Sequence, residues 1–158
     1  MPSNIDYANN SWSSTGPPLV LRDLVSLQRM LDTTLPTDFV DFLHNVNGGI
    51  PSKPFFCLDD PVHDWDWVVG LFACTKNVQH SPISIQSMSS RLPGLLSAGA
   101  IPIGICASDG YLALRLARTR HHVWFYSVHE DRVIDLAPSF SAFLGRLKES
   151  APDDAFQM

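Results

Sequence analysis

Segment 35–49 constrains the fold most, because its sequence specifies a helix together with both of its ends. Its apolar residues recur at i, i+3, i+4 and i+7, the spacing of one helix face: Phe39, Phe42, Leu43 and Val46. Pro36 suits the first turn of a helix, where its missing N–H would have no intrahelical partner. Asn47-Gly48-Gly49 then ends the helix, because glycine tolerates the left-handed backbone that commonly closes one. The segment therefore predicts an amphipathic helix that packs on a hydrophobic core.

Length and hydropathy indicate one globular domain. The 158 residues, 45% of them apolar, suffice to bury a real hydrophobic core. No apolar run approaches the roughly 18 residues that a membrane helix needs. Residues 1–6 have neither the basic start nor the apolar middle of a signal peptide. We therefore expect a soluble, cytoplasmic protein that does not bind membranes.

The net charge indicates the class of partner, and the cysteine content indicates the state of the thiols. A net charge of −5 disfavours nucleic acid as the direct partner, since phosphate binding usually needs a basic face, and it is compatible with a basic protein. Cys57, Cys74 and Cys106 are odd in number and form no Cys-x-x-Cys pair. This spacing favours reduced thiols over a disulfide framework or a structural zinc site.

The first part of the chain predicts an arm followed by two helices. Residues 1–18 are polar and rich in Ser, Asn and Pro, which predicts an irregular arm with Tyr7 or Trp12 packed on the domain. A helix over 19–31 follows and precedes the helix of segment 35–49. Its expected inward side chains are Leu21, Leu24, Val25 and either Leu27 or Gln28.

The middle of the chain predicts strands around one short helix. Aromatic and β-branched runs indicate strands over 55–58 and 67–72. Ser81-Pro82 is typical of a helix start and predicts a helix over 83–91. Segment 101–106 predicts a further strand, which its proline places at a sheet edge.

The last third completes an α+β fold. Alternation of apolar and polar residues predicts strands over 111–117 and 123–128. A closing helix repeats the i, i+3, i+4, i+7 stripe: Phe140, Phe143, Leu144 and Leu147. We therefore expect a single α+β domain over 19–149, in which a mixed, mostly antiparallel sheet packs against several helices, and a tail at 150–158.

A loop between the first two of these strands is the leading candidate for a binding site. It combines acidic and aromatic side chains: Asp59, Asp60, Asp64, Trp65, Asp66 and Trp67. Tryptophan is enriched at interface hot spots, and acidic neighbours would steer a basic protein partner. Asp109 and Glu130 are weaker candidates at turns. The alternatives are that one or both tryptophans belong to the core and that the loop is simply solvated.

Catalytic and metal sites find less support. The chain has no Gly-x-Ser-x-Gly nucleophile motif and no P-loop. The aspartates of the loop could ligate a divalent cation, but they lack the spacing, glycine and closing glutamate of an EF-hand. His121-His122 and His129-Glu130 have the chemistry of a metal or acid–base site, although such pairs at turns are more often exposed polar residues. We therefore expect no enzyme activity, metal or cofactor.

Several segments, in their order along the chain, resemble the SUKH superfamily. The resemblance covers about residues 20 to 148 and rests on the ordered set, because no single piece is specific. Its pieces are Leu35-Pro36-Thr37-Asp38-Phe39, Asn47-Gly48-Gly49, Ile101-Pro102-Ile103-Gly104, Asp109-Gly110, Val123-Trp124-Phe125-Tyr126 with His129-Glu130 behind it, and Leu136-Ala137-Pro138-Ser139-Phe140.

The resemblance implies a binding protein without catalytic activity, since this superfamily includes bacterial immunity proteins and fungal cell-wall-synthesis regulators. We expect an immunity protein that binds and neutralises a cognate, basic protein toxin, such as a nuclease. The alternatives are a regulatory scaffold of the fungal type and a small metal-binding enzyme that uses His121, His122 or His129.

Overall fold

The computed structural model describes residues 5–15, 19–57, 84–106, 110–116 and 120–149, and the backbone of 66–72. The helices in these ranges are α1 (Leu21–Leu31), α2 (Thr37–Asn45), α3 (Ile85–Arg91), α4 (Pro93–Ser97) and α5 (Phe140–Gly145). The strands are β1 (Ile5–Tyr7), β2 (Asn10–Ser13), β3 (Ile50–Pro51), β4 (Phe55–Cys57), β5 (Asp66–Phe72), β6 (Ala100–Cys106), β7 (Gly110–Arg115), β8 (Val123–Ser127) and β9 (Arg132–Ala137).

The strands form two antiparallel sheets. The large sheet has the order β4-β5-β6-β7-β8-β9, so each strand pairs with the next one along the chain. The small sheet has the order β1-β2-β3. Helices pack against this arrangement, which confirms the predicted single-domain α+β fold with a mostly antiparallel sheet.

Both apolar stripes predicted from the sequence lie in the main core. The rings of Phe42 and Phe140 are 5.0 Å apart between centroids, and Phe39 meets Phe140 edge-on at 4.9 Å. All eight stripe residues are buried: Phe39, Phe42, Leu43, Val46, Phe140, Phe143, Leu144 and Leu147. Helices α2 and α5 therefore close the same core, against one face of the large sheet.

The end of α2 is specified locally, as predicted. The amide of Val46 donates to the carbonyl of Phe42 at 2.8 Å, and the amide of Asn47 reaches the same oxygen at 3.2 Å. The left-handed backbone begins at Asn47 (φ 53°) and continues through Gly48 and Gly49, with φ of 86° and 120°. Asparagine tolerates this conformation better than most residues, so the left-handed backbone begins one residue before the glycines.

Asp38 joins the first turns of α2 and α5. One of its carboxylate oxygens accepts hydrogen bonds from the amide and the hydroxyl of Ser141, at 2.9 and 2.8 Å. Ser139 caps α5 by accepting the amide of Ala142 at 3.1 Å. The carboxylate of α2 therefore bonds the unpaired first turn of α5, which orients the two helices.

The prediction of an irregular N-terminal arm is wrong for the part that the structure describes, because β1 and β2 form a hairpin there. Trp12 is completely buried, and its indole N–H donates to the carbonyl of Tyr7 at 3.0 Å. The side-chain oxygen of Asn10 accepts the amide of Lys53 at 2.6 Å. These partners lie far along the chain, so the polar composition of residues 1–18 did not indicate them.

Strand β6 is central, not at an edge as its proline predicted. It pairs with β5 on one side and β7 on the other, and the register with β7 shifts between Pro102 and Gly104. Ile103 is the residue that this shift leaves out of the ladder, and Pro102 stays in register with Ala113. The described pairing of β5 with β6 reaches only as far as Gly104, so it does not require an N–H from Pro102.

Three smaller predictions need correction. In α1, Leu21 and Val25 are exposed, and Leu27 is the buried residue of that helix. Ser84 caps α3, which begins at Ile85, whereas the predicted cap at 81–82 lies outside the described residues. Strand β9 was not predicted.

The hydrogen bond of Tyr7 predicts how the stability of the protein depends on pH, and this dependence tests the packing of the N-terminal hairpin. Its hydroxyl donates to Asp41 at 2.6 Å, and burial followed by this hydrogen bond raises the pKa of Tyr7 above its ordinary value. Above about pH 10 the unfolded chain loses the tyrosine proton while the folded chain keeps it, so stability falls as pH rises. Tyr7→Phe should cost about 1 kcal/mol at pH 7 and make this alkaline loss less steep in urea titrations.

The buried thiol of Cys106, whose pKa burial also raises, is present in both proteins and cancels from this comparison. If the free energy of unfolding fell equally with pH in the unchanged protein and in Tyr7→Phe up to pH 11, Tyr7 would not be the group responsible for the alkaline loss of stability.

Candidate functional site

Three strand connections leave the large sheet at the same end. Because consecutive strands are antiparallel neighbours, the β4–β5, β6–β7 and β8–β9 connections share one end, and the β7–β8 connection is at the other. The strand termini at the shared end are Cys57, Asp66, Cys106, Gly110, Ser127 and Arg132. Every predicted partner-binding residue lies in one of these three connections or at the start of β5.

The structure describes a part of the predicted site. Asp66 and Trp67 open β5, where their backbones pair with Cys57 and Phe56 of β4. Glu130 is exposed in the β8–β9 turn. The remaining candidates lie outside the described residues: Asp59, Asp60, Asp64, Trp65 and Asp109.

This end of the sheet has a strongly negative sequence. Segments 58–66, 107–109 and 128–131 contain seven aspartates and glutamates and no lysine or arginine. We call the part of the molecule formed by these segments and the adjoining strand termini the acidic end. The connection at the opposite end, 116–122, contains Arg118 and Arg120 and no acidic residue. The connections at the two ends of the sheet therefore differ in the charge of their sequences.

Local hydrogen bonds fix the β8–β9 turn of the acidic end. The amide of Glu130 donates to the hydroxyl of Ser127 at 3.3 Å, and the hydroxyl of Tyr126 donates to Asp131 at 3.2 Å. Asp131 has a φ of 47°, which closes the turn and returns the chain into β9. Burial, followed by the bond to Asp131, raises the pKa of Tyr126. The preceding strand thus holds the carboxylate of Asp131 at the surface through Tyr126, and it holds the backbone of Glu130 through Ser127.

The histidines considered for catalysis do not share a site. His129 is exposed in the turn at the acidic end, whereas His121 and His122 are at the opposite end of the sheet. His122 Nδ1 lies 2.7 Å from a carboxylate oxygen of Asp135. His121 borders a groove of about 760 Å³ together with Asp38. Within the described residues, no three His, Cys, Asp or Glu side chains are grouped to hold a metal ion.

The outer face of the sheet carries aromatic residues that sequence reasoning did not propose as a surface. Trp124 is half-buried there, and the guanidinium carbon of Arg115 lies 5.7 Å from the centre of its ring. Helix α4 covers part of this face through Leu95, which packs with Ala113. The alternation of Trp124 and Tyr126 with buried Val123 and Phe125 was the available signal.

Most of the chain is similar to one known protein family. A family model described as SMI1 / KNR4 family (SUKH-1) matches residues 18–146, the stretch that contains α1 to α5. A search of curated proteins gave no match. In the part of the chain that the structure describes, each helix is too short or too polar to cross a membrane.

Proposed function

The chain belongs to the SMI1 / KNR4 family (SUKH-1), and on that premise we propose that it is an immunity protein that binds and neutralises a toxin domain. The partner is a basic protein, held by surface complementarity in the cytoplasm. The chain contributes no catalytic group and needs no metal or cofactor for this role.

The acidic end is the observation that carries the proposal. The strand termini that flank three negative segments of the sequence lie at one end of the large sheet, although the segments are up to about 70 positions apart in the chain. A cluster of one sign of charge raises the rate of encounter with an oppositely charged protein and disfavours partners of like charge. If the toxin is a nuclease, these carboxylates have the charge to occupy the surface on which it binds phosphates.

The aromatic residues of the same segment supply the contact energy. Trp65 and Trp67 alternate with Asp64 and Asp66 in sequence, so steering charges and hot-spot side chains come from one stretch of chain. This division of roles predicts that the aspartates chiefly affect association and the tryptophans chiefly affect dissociation.

Co-expression tests the proposed function. The toxin domain encoded beside the gene of this chain is induced in a host with and without the chain. We expect growth to be restored and the two proteins to co-purify as a one-to-one complex. Failure of rescue with every neighbouring toxin gene would contradict an immunity role. Recovery of several host partners and no toxin would instead favour a regulatory binding protein.

Charge reversal tests the acidic end separately. In Asp64→Lys/Asp66→Lys, we expect association with the toxin to slow by about tenfold or more at low salt, and its dependence on salt to weaken. Stopped-flow kinetics at several ionic strengths measures both quantities.

The matched control is Asp23→Lys/Asp32→Lys, which changes the net charge by the same amount on α1 and at the residue that caps its C-terminus. The linker after α1 borders the groove at the opposite end of the sheet. Equal slowing by the two double variants would show that net charge alone is responsible and that the acidic end is not the binding surface.

A further inference from the structure

Strand β9 forms one edge of the large sheet in the described part of the chain. The direction in which its backbone N–H and C=O groups point follows from the hydrogen bonds between β7 and β8. The amide of Arg115 donates to the carbonyl of His122 at 2.8 Å, which makes this pair a hydrogen-bonded pair of the β7–β8 ladder. Hydrogen-bonding direction alternates along an antiparallel strand, so Phe125 directs its backbone groups away from β7 and towards Ile134 of β9.

The same alternation turns the neighbours of Ile134 outward. The N–H and C=O groups of Val133 and Asp135 point away from β8, and β8 is the sole strand paired with β9 in the described chain. The side chains of Val133 and Asp135 are 41% and 56% exposed, respectively. Strand β9 therefore presents two adjacent outward pairs of donor and acceptor, the arrangement that an added strand requires.

A cavity of about 270 Å³ lies beside this edge, between β9, β4 and α5. Its apolar floor consists of Phe56, Leu136 and Phe143, all buried. Its charged lining residues are Arg146, which donates to the carbonyl of Leu136, Lys148 and Asp135. The cavity accepts an uncharged apolar side chain, and the net positive charge of this rim disfavours a basic one.

We propose that the edge of β9 binds an extended segment of a protein partner as an added antiparallel strand. The partner residue opposite Ile134 points to the core side and enters the cavity, because diagonal neighbours such as Leu136 are within reach of a large side chain. Its preceding residue lies opposite Asp135 and is basic, while its following residue lies opposite Val133 and is β-branched. The recognised sequence, from N to C terminus, is basic–apolar–β-branched.

This inference rests on the proposed function in one respect, since it assigns the segment to the same basic partner. The edge is a second contact, distinct from the acidic end, and its test requires no toxin. The two ideas can therefore fail independently.

The probe is the blocked peptide Thr-Lys-Phe-Val-Thr, titrated into the isotope-labelled chain. We expect the amide resonances of Val133 and Asp135 to shift and their hydrogen exchange to slow, because both amides gain acceptors. Replacing the peptide's phenylalanine by lysine should weaken binding about tenfold or more, since the cavity rim is cationic.

Two N-methylated peptides form the matched control on the unchanged protein. Methylation of the valine nitrogen removes an N–H that faces β9 and should weaken binding about tenfold. Methylation of the phenylalanine nitrogen removes an N–H that faces away and should change the affinity by less than about threefold. Val133→Pro should abolish binding as well, while Val133→Ala, which keeps the amide, should retain it.

Val133→Pro leaves the ladder with β8 intact, because its amide is not part of that ladder, and thermal unfolding verifies that the variant folds. Equal effects of the two methylations, or shifts confined to the Trp124 face, would overturn the proposal. So would the absence of any shift at millimolar peptide. Peptide binding without toxin neutralisation would support the edge site and refute the immunity role. Toxin neutralisation without peptide binding would refute the edge site.

Discussion

Phe42→Ala should lower the free energy of unfolding by about 4 kcal/mol, a large fraction of the stability of a domain of this size. Phe42 is completely buried and stands at the centre of an aromatic cluster, with Trp12, Phe140 and Tyr7 at 5.0, 5.0 and 6.0 Å between ring centroids. Truncation leaves a cavity shared by α2, α5 and the N-terminal hairpin. Urea titration followed by tryptophan fluorescence measures the change.

Two further variants are controls for the loss of stability in Phe42→Ala. Phe42→Leu keeps most of the volume and should cost about 1.5 kcal/mol. Leu21→Ala removes an apolar side chain that is 73% exposed and should change stability by less than about 0.5 kcal/mol. A loss at Phe42→Ala as small as that at Leu21→Ala would contradict the packing of the aromatic cluster. Phe42 belongs to the core, so any variant protein that stays folded should keep the binding that we propose for the acidic end.

Gly49→Ala should cost about 3 kcal/mol, because two penalties coincide at one position. Gly49 has a φ of 120°, which side-chain-bearing residues rarely adopt. A β-carbon there would lie 2.6 Å from the carbonyl oxygen of Ser13, a backbone atom of the N-terminal hairpin. The variant must therefore displace β2 from the end of α2, and thermal unfolding should show a lowered midpoint.

Gly99→Ala separates the two penalties. Gly99 also has a positive φ, of 78°, but no atom lies within 4 Å of the position that its β-carbon would take. We expect a cost of about 1 kcal/mol, from backbone strain alone. If the two alanine variants lost equal stability, the close approach of Ser13 to Gly49 would not be a feature of the folded protein.

The sequence predicted best those helices and strands that are determined by residues close to one another in the chain. The stripes at 39–46 and 140–147 were placed in the core correctly because helical periodicity and the adjacent end signals are both local. The strands at 55–57 and 123–127 were predicted for the same reason. The same reasoning overestimated α1, whose apolar residues span a wider arc than the core can cover, which leaves Leu21 and Val25 exposed.

Predictions failed where the answer depends on a distant segment. The packing of Trp12 on the domain was predicted, but the hairpin at 5–13 was not, because β2 pairs with β3 nearly forty positions later in the chain. Pro102 lies in a central strand because the described pairing of β5 with β6 stops at Gly104. Strand β9 was missed although Ile134 and Leu136 alternate with exposed Val133 and Asp135, since Leu136 was assigned to the start of the last helix. Without β9 in the sheet order, the shared position of Glu130 and the acidic segment was not evident.

The bond between Asp38 and Ser141 spans 103 positions, and its consequence concerns synthesis on the ribosome. The consecutive hairpins of the large sheet can pair as they emerge, and Phe42 of α2 can meet Trp12 of the N-terminal hairpin early, but the contact of α2 with α5 must wait until α5 has left the exit tunnel. At translation speeds of about 5–20 residues per second, Phe39 and Phe42 spend several seconds without their contacts to Phe140. Chaperones that recognise exposed aromatic residues would act during this interval, before the complete chain can close its core.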